Sequence, residues 1–279
     1  MPDIAFINGR FLPWKDATVS IDDRGFQFGD GVYEVIRTYR GAAFELAAHL
    51  ARLERSAKEL NLIQPYSRAQ WTQWIQQGLS QAGYQEAKIY IQITRGVAPR
   101  DHAFPLGISP TVVMTIRELH PLSIQVRQDG VTARTFDDLR WGRCDIKSVN
   151  LLGNVLAREE ARKAGVFEAI LVKDGLVTEG SLSNVMAVQS GTVVTAPEGP
   201  RILSGVTRTM VLELARKEEI PVEERFLSRD ALYGADEVFL TGTTLEVLGV
   251  VRIDGNTIGS GRPGPITKTL AARWSILTG

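Results

Sequence analysis

Cysteine occurs once in the 279 residues, at Cys144. A lone thiol forms no internal disulfide, so a reducing compartment, the cytoplasm, is the expected one. It cannot make a thiolate metal site either, and the three histidines (His49, His102 and His120) stand too far apart in sequence for zinc-ligand spacing. Neither sign of charge is in excess. Lys+Arg and Asp+Glu both number 32, which leaves no basic field for nucleic acid or an anionic membrane. No stretch approaches the roughly 20 apolar residues of a membrane helix. The opening MPDIAFINGRFLPWKD has neither the charged start nor the apolar run of a signal peptide. These absences lead us to expect a soluble cytoplasmic protein that acts on a small molecule, without a metal.

What is present fits a folded chain. Hydrophobic residues make up 44% and charged residues 23%, proportions that exclude a disordered, collagen-like or coiled-coil protein. At roughly 150 residues per domain the length predicts about two domains. Asn8-Gly9, between Ile4–Ile7 and Arg10–Leu12, is a two-residue hairpin signal. Val32 to Tyr39 is β-branched and aromatic. Leu46, Leu50, Leu53, Ala57 and Leu60 recur at helical spacing, and a second helix is expected over Arg68 to Ala82 with Gly83 as its stop. Lys88 to Thr94 and Thr111 to Arg117 read as strands around a Gly/Pro-rich loop.

Near His120-Pro121 the pattern changes to short strands punctuated by Asp129-Gly130, Asp174-Gly175, Ser190-Gly191 and Asp254-Gly255. Two helices interrupt these strands, over about 151–164 and 207–219. The expectation is an α+β protein with a small domain over 1–119 and a larger, strand-rich domain over 120–279.

Four groups of residues could carry chemistry. Lysine is the natural covalent handle for a carbonyl. Lys147, in Cys144-Asp145-Ile146-Lys147-Ser148-Val149-Asn150, has the least water-friendly context of the eight lysines. Read alone, its ordinary reading is a lysine whose stem packs on apolar neighbours while its ammonium reaches water. Glu179 ends the strand that returns from Asp174-Gly175; it could hold a protonated ring nitrogen or be a solvated edge charge.

Ser204-Gly205-Val206-Thr207 opens a helix whose free N–H groups could receive a phosphate. Thr241-Gly242-Thr243 and Arg52 could complete that cup, although caps and solvated helix charges look the same. Arg100 and His102, two apart on an extended loop, would point the same way and could grip a carboxylate. Tyr33 could belong with them or be a core tyrosine.

In this order, Arg24-Gly25-Phe26-Gln27-Phe28-Gly29-Asp30-Gly31-Val32-Tyr33-Glu34-Val35, Thr94-Arg95-Gly96, Arg100-x-His102, Asp145-Ile146-Lys147-Ser148-x-Asn150-Leu151-Leu152 and Thr178-Glu179-Gly180-Ser181-x-Ser183-Asn184 closely resemble the fold-type IV pyridoxal-phosphate aminotransferases over nearly the whole chain. The Arg100, His102 and Tyr33 set resembles the branch that acts on D-amino acids.

The resemblance implies a small α+β N-terminal domain and a larger barrel-like C-terminal domain carrying the Schiff-base lysine, with pyridoxal 5'-phosphate between them. It implies Lys147 as catalytic base and cofactor anchor, and Glu179 on the pyridine nitrogen. Arg52, Val206, Thr207 and Thr243 would hold the phosphate, and Leu203 would pack on the ring. Tyr33, Arg100 and His102 would take the substrate carboxylate, the latter two from the partner of a homodimer. Gly242 stands where relatives often carry a hydroxyl.

The implied reaction is transamination between a D-amino acid such as D-alanine and a 2-oxo acid such as 2-oxoglutarate, giving pyruvate and D-glutamate. Aminodeoxychorismate lyase and the branched-chain and R-selective amine aminotransferases share the lysine and the glutamate, and stay open as alternatives.

Overall fold

The computed structural model describes residues 3–279. Its contacts divide the chain into two compact units. The first is the chain up to His120 together with Ile146–Asn150; the second is Pro121–Asp145 and Leu151–Gly279.

In the first unit, β1 (Ile4–Ile7), β2 (Arg10–Leu12), α1 (Arg24–Phe28), β3 (Gly31–Tyr39), β4 (Ala42–Ala43), α2 (Leu46–Glu59), α3 (Arg68–Ala82), β5 (Ala87–Thr94) and β6 (Thr111–Glu118) follow one another. The six strands form an antiparallel sheet in the order β2-β1-β6-β5-β3-β4. Asn8 and Gly9 take φ of 47° and 88°, the left-handed pair that a two-residue hairpin turn needs. Helix α3 starts in a Ser67/Gln70 capping box and stops at Gly83. Leu50 and Leu53 of α2 and Trp71 and Ile75 of α3 pack with Phe6, Ile36, Ile89, Ile91 and Met114 into one buried cluster. On β3 the alternation of side chains therefore puts Glu34 on the buried side with Ile36, and Tyr33 on the other face.

The second unit contains α4 (Ile124–Asp129), β7 (Val131–Asp137), α5 (Leu152–Lys163), β8 (Glu168–Lys173), β9 (Leu176–Gly180), β10 (Asn184–Gln189), β11 (Thr192–Thr195), α6 (Val206–Lys217), β12 (Val222–Glu224), α7 (Arg229–Tyr233), β13 (Glu237–Gly242), β14 (Glu246–Ile253), β15 (Asn256–Thr257) and α8 (Pro265–Thr278). Its mixed sheet runs β12-β11-β10-β13-β14-β7-β8-β9, with β15 beside β14. Three residues join β9 to β10, and Gly180 N donates to Ser183 O at 2.7 Å. Strands so tightly joined, yet at opposite ends of a six-strand path, require that path to curl on itself, which makes the half-barrel.

Three departures from the sequence reading have physical causes. The lysine segment, expected in the second domain, belongs to the first unit. Ile146 is buried in that unit's core, and Lys147 O and Val149 N bond to Tyr33 N and Gly31 O. Asp129-Gly130 is not a hairpin turn but the end of α4, where Gly130 at φ 76° serves as cap. Finally, α4, α7 and α8 join the two expected helices. Helix α8 begins with Pro265 at its first turn, a helix-start signal, and the Glu237 carboxylate accepts from Ile266 N and Thr267 N.

Candidate active site

In the first unit the site is built on β3. Lys147 is half-buried, and its Nζ lies 4.3 Å from the centre of the Tyr33 ring. Its segment is fixed on two sides. Tyr33 N donates to Lys147 O at 2.9 Å, and Lys147 N donates to Ser56 Oγ on α2 at 3.2 Å. The Asn150 amide donates to Gly29 O. Among the described residues no carboxylate pairs with the Lys147 ammonium, so the amine is held against an aromatic face rather than in a salt bridge.

Beneath Tyr33, fully buried Glu34 accepts from Arg52 Nε and Nη2 at 3.0 and 2.7 Å and meets His49 Nδ1 at 3.1 Å. Burial pushes the Glu34 carboxyl up, but the charge and hydrogen bonds of Arg52 and His49 outweigh it and hold the group well below the ordinary carboxylate range. For His49, burial is the larger influence and lowers its proton affinity despite Glu34. Arg52 is thus an arginine aimed by a buried two-pronged ion pair rather than a solvated helix charge. Neither Glu34 nor His49 was among the expected site residues. The available signal was a charge in the apolar run Val32-Tyr33-Glu34-Val35-Ile36.

Arg100 and His102 are exposed, and both stand against Phe28: the Arg100 guanidinium carbon at 4.6 Å and the His102 ring at 5.4 Å from its centre. Both thus rest against the same ring. Within one chain, neither makes a hydrogen bond, ion pair or ring contact with Tyr33, whose ring neighbour is Tyr90.

In the second unit Glu179 is buried at the end of β9. Arg140 Nη1 donates to its Oε1; the Asn184 amide and Leu203 N donate to Oε2 at 2.9 and 3.1 Å. Asp138 grips Arg140 through Nε and Nη2 at 2.8 and 2.7 Å and accepts from the Thr178 hydroxyl. Burial pushes the Glu179 carboxyl up to about 7, against the pull of Arg140. Two carboxylates thus share one buried guanidinium, and an added cation at Glu179 would balance them.

Arg140 and Asp138 escaped the sequence reading because the network joins positions 138, 140, 179, 184 and 203, which only the fold brings together. Nearby, α6 starts at Gly205 with no side-chain cap, leaving its first N–H groups available, Val206 and Thr207 among them. A Cβ at Gly205 would fall 2.1 Å from Asn184 Oδ1, so this helix start is packed against the amide that also serves Glu179. Asn184 pairs across the sheet with Thr241, whose buried hydroxyl oxygen lacks a partner among the described residues. Thr243 follows in the turn closed by Leu245 N to Gly242 O.

The first unit thus holds an amine and an aimed arginine, and the second, taken by itself, holds a buried carboxylate one cation short and an uncapped helix start. The amino-transferase class IV family model matches residues 31–253. D-alanine aminotransferase of Bacillus licheniformis is 45% identical over 97% of this chain and 96% of its own length. That of Staphylococcus haemolyticus is 43% identical over 95% and 94%.

Among solved structures, the branched-chain amino acid aminotransferase of Escherichia coli superposes with a TM-score of 0.93 at 29% identity, covering 99% of this chain and 94% of that one. A second branched-chain enzyme, from T.th. and complexed with N-(5'-phosphopyridoxyl)-L-glutamate, gives 0.91 at 29% over 99% and 93%. The chain belongs to the class IV aminotransferases.

Proposed function

We propose that this enzyme transfers an amino group from a D-amino acid such as D-alanine to a 2-oxo acid such as 2-oxoglutarate, with pyridoxal 5'-phosphate as cofactor. The observation that carries this reading is near-full-length similarity to D-alanine aminotransferases at 45% and 43% identity. The Arg100 and His102 pair beside Phe28 agrees with it.

Bound cofactor supplies a carbonyl for amine exchange and a ring that takes up the electron pair left at the substrate carbon. Lys147 Nζ anchors it and moves the proton to and from the substrate α-carbon. Glu179 keeps the proton on the pyridine nitrogen, with Arg140 and Asn184 fixing its two oxygens. The N–H groups of Val206 and Thr207, with Thr243 and Arg52, hold the phosphate, and Leu203 packs on the ring. Tyr33, Arg100 and His102 receive the substrate carboxylate.

No hydrogen bond, ion pair or ring contact joins Arg100 or His102 to Tyr33 of their own chain, which supports the reading that the pair serves the site of a second copy in a homodimer. A patch suited to that pairing lies on the second unit. Leu139, Trp141, Leu152, Val155, Leu156 and Leu182 are exposed there, and the Asn154 side chain on α5 bonds Ser181 O beside Leu182. The single cysteine agrees with residence in the cytoplasm.

The test is to load the protein with cofactor and supply D-alanine with 2-oxoglutarate. Pyruvate and D-glutamate should accumulate together, and without the acceptor pyruvate should stop at about one equivalent per bound cofactor. Pyruvate from aminodeoxychorismate with no acceptor, or turnover of L-leucine in preference to D-alanine, would replace this reading by the lyase or the branched-chain enzyme.

A further inference from the structure

Arg24 has no place among the residues assigned above, yet it is buried in α1 and spends its whole guanidinium on specific partners. Its Nε donates to Asp30 Oδ2 at 2.8 Å, Nη1 to Asp101 O at 2.5 Å and Nη2 to His102 O at 3.3 Å. The last two carbonyls belong to the stretch that carries Arg100 and His102. Asp30 also takes a two-pronged contact from Arg95, which in turn donates to Leu60 O and Asn61 O at the end of α2. The base of the loop is thus tied to α2 and its working stretch to α1. On α1, four residues after Arg24, Phe28 supplies the ring against which Arg100 and His102 both rest.

The charges sort in an informative way. Arg24 and Arg95 share the single carboxylate of Asp30. Arg100 has no carboxylate partner among the described residues; its contact is the Phe28 ring. A loop whose backbone is clamped by one arginine presents a second arginine, seated on an aromatic face and lacking an anion. A clamp of this kind reduces the ordering cost that an exposed loop would otherwise incur when it binds.

We propose that Arg24 and Phe28 are positioning residues for recognition of the substrate carboxylate. Arg24 fixes the backbone at Asp101 and His102, and Phe28 seats the Arg100 and His102 side chains. This rests on the reading that Arg100 and His102 receive that carboxylate. It adds that the pair works only while α1 holds it in place.

Steady-state kinetics of the cofactor-loaded enzyme with D-alanine and 2-oxoglutarate test it, with Arg24→Gln, Arg24→Lys, Phe28→Leu, Phe28→Tyr and Arg100→Ala compared. Loss of the guanidinium contacts to two carbonyls should raise KM for both substrates about tenfold in Arg24→Gln while kcat changes much less. Arg24→Lys, which keeps the charge, should recover part of the loss. Phe28→Leu should raise KM roughly two- to fivefold, the size of an exposed cation–ring contact, and Phe28→Tyr should restore it. On an Arg100→Ala background the Phe28→Leu effect should shrink.

A purely structural role would lower kcat and thermal stability and leave KM alone, and that pattern would overturn the proposal. Should the buried Arg24 variants fail to fold, the Phe28 pair decides: unchanged KM in Phe28→Leu would also overturn it. If Arg100→Ala itself leaves KM unchanged, the carboxylate reading fails first. If Arg100→Ala raises KM and neither Arg24→Gln nor Phe28→Leu does, only the positioning role fails.

Discussion

At the scale of single residues, the two central side chains differ in how much their sequence context disclosed. Lys147 was expected through the family resemblance of Asp-Ile-Lys-Ser, and the fold describes that context: Ile146 buries, Ser148 bridges to β3, and the amine between them lies over Tyr33. Lys147→Ala should therefore bind cofactor that borohydride no longer fixes to the chain, and lose nearly all turnover. Fixation that persists would point to another lysine. Glu179 was recognisable only as a strand-end carboxylate, because its physics comes from Arg140 and Asp138. Its carboxyl, raised to about 7 by burial, stays protonated in the folded cofactor-free protein where the unfolded chain has already released that proton. The associated stability is full below about pH 4.5 and is lost as pH rises through about 7, a swing on the order of 3 kcal/mol. Urea midpoints of the cofactor-free protein should fall across this window, and Glu179→Gln should flatten the fall. An equally steep decline in that variant would show that another group controls it.

At the scale of elements, hairpins were the most legible feature. Asn8-Gly9, Asp174-Gly175, Ser190-Gly191 and Asp254-Gly255 all adopt the paired positive φ that their residue types favour. Helix α8 was not legible from its apolar spacing, since few of its side chains are buried; Pro265 and the distant Glu237 define its start. Asp129-Gly130 misled because the same dipeptide suits a hairpin turn and a helix cap, and only the preceding turn of α4 distinguishes them. Lys147 could not be assigned to its unit for a related reason: strand-to-strand bonding, not position along the chain, ties it to β3. The turn after β13 offers a direct test of the phosphate cup. A Cβ at Gly242 would meet nothing nearer than Leu182 O at 3.6 Å, an ordinary van der Waals contact. If Thr243 and the start of α6 hold the phosphate, Gly242→Ser adds a hydroxyl donor to the group. Cofactor dissociation should then tighten roughly tenfold, the worth of one hydrogen bond to a charged partner. Unchanged dissociation would remove this turn from the cup.

At the scale of the whole molecule, a single chain places Lys147 against Tyr33 and places Arg100 and His102 on Phe28, with no hydrogen bond, ion pair or ring contact between Lys147 or Tyr33 and Arg100 or His102. If a complete site takes its lysine from one copy and its carboxylate pair from another, two differently disabled chains can repair each other. Lys147→Ala retains a working Arg100, and Arg100→Ala retains a working Lys147. In a mixed dimer one site then receives both intact residues and the other receives neither. Random exchange at equal concentrations makes half the dimers mixed, so about a quarter of all sites should be whole. Arg100→Ala alone should keep roughly one to ten per cent of wild-type kcat/KM, because a charge-assisted contact is worth ~1.5–3 kcal/mol. A rise to about a quarter of wild-type activity at limiting D-alanine therefore stands clear of either parent. Differently tagged chains, purified through both tags in sequence, establish that exchange took place. In that doubly selected sample every dimer is mixed and recovery should reach about half. If instead each chain builds its site alone, every site in the mixed dimer lacks one residue. Activity would then stay at the average of the two parents, and the shared site would have to be abandoned.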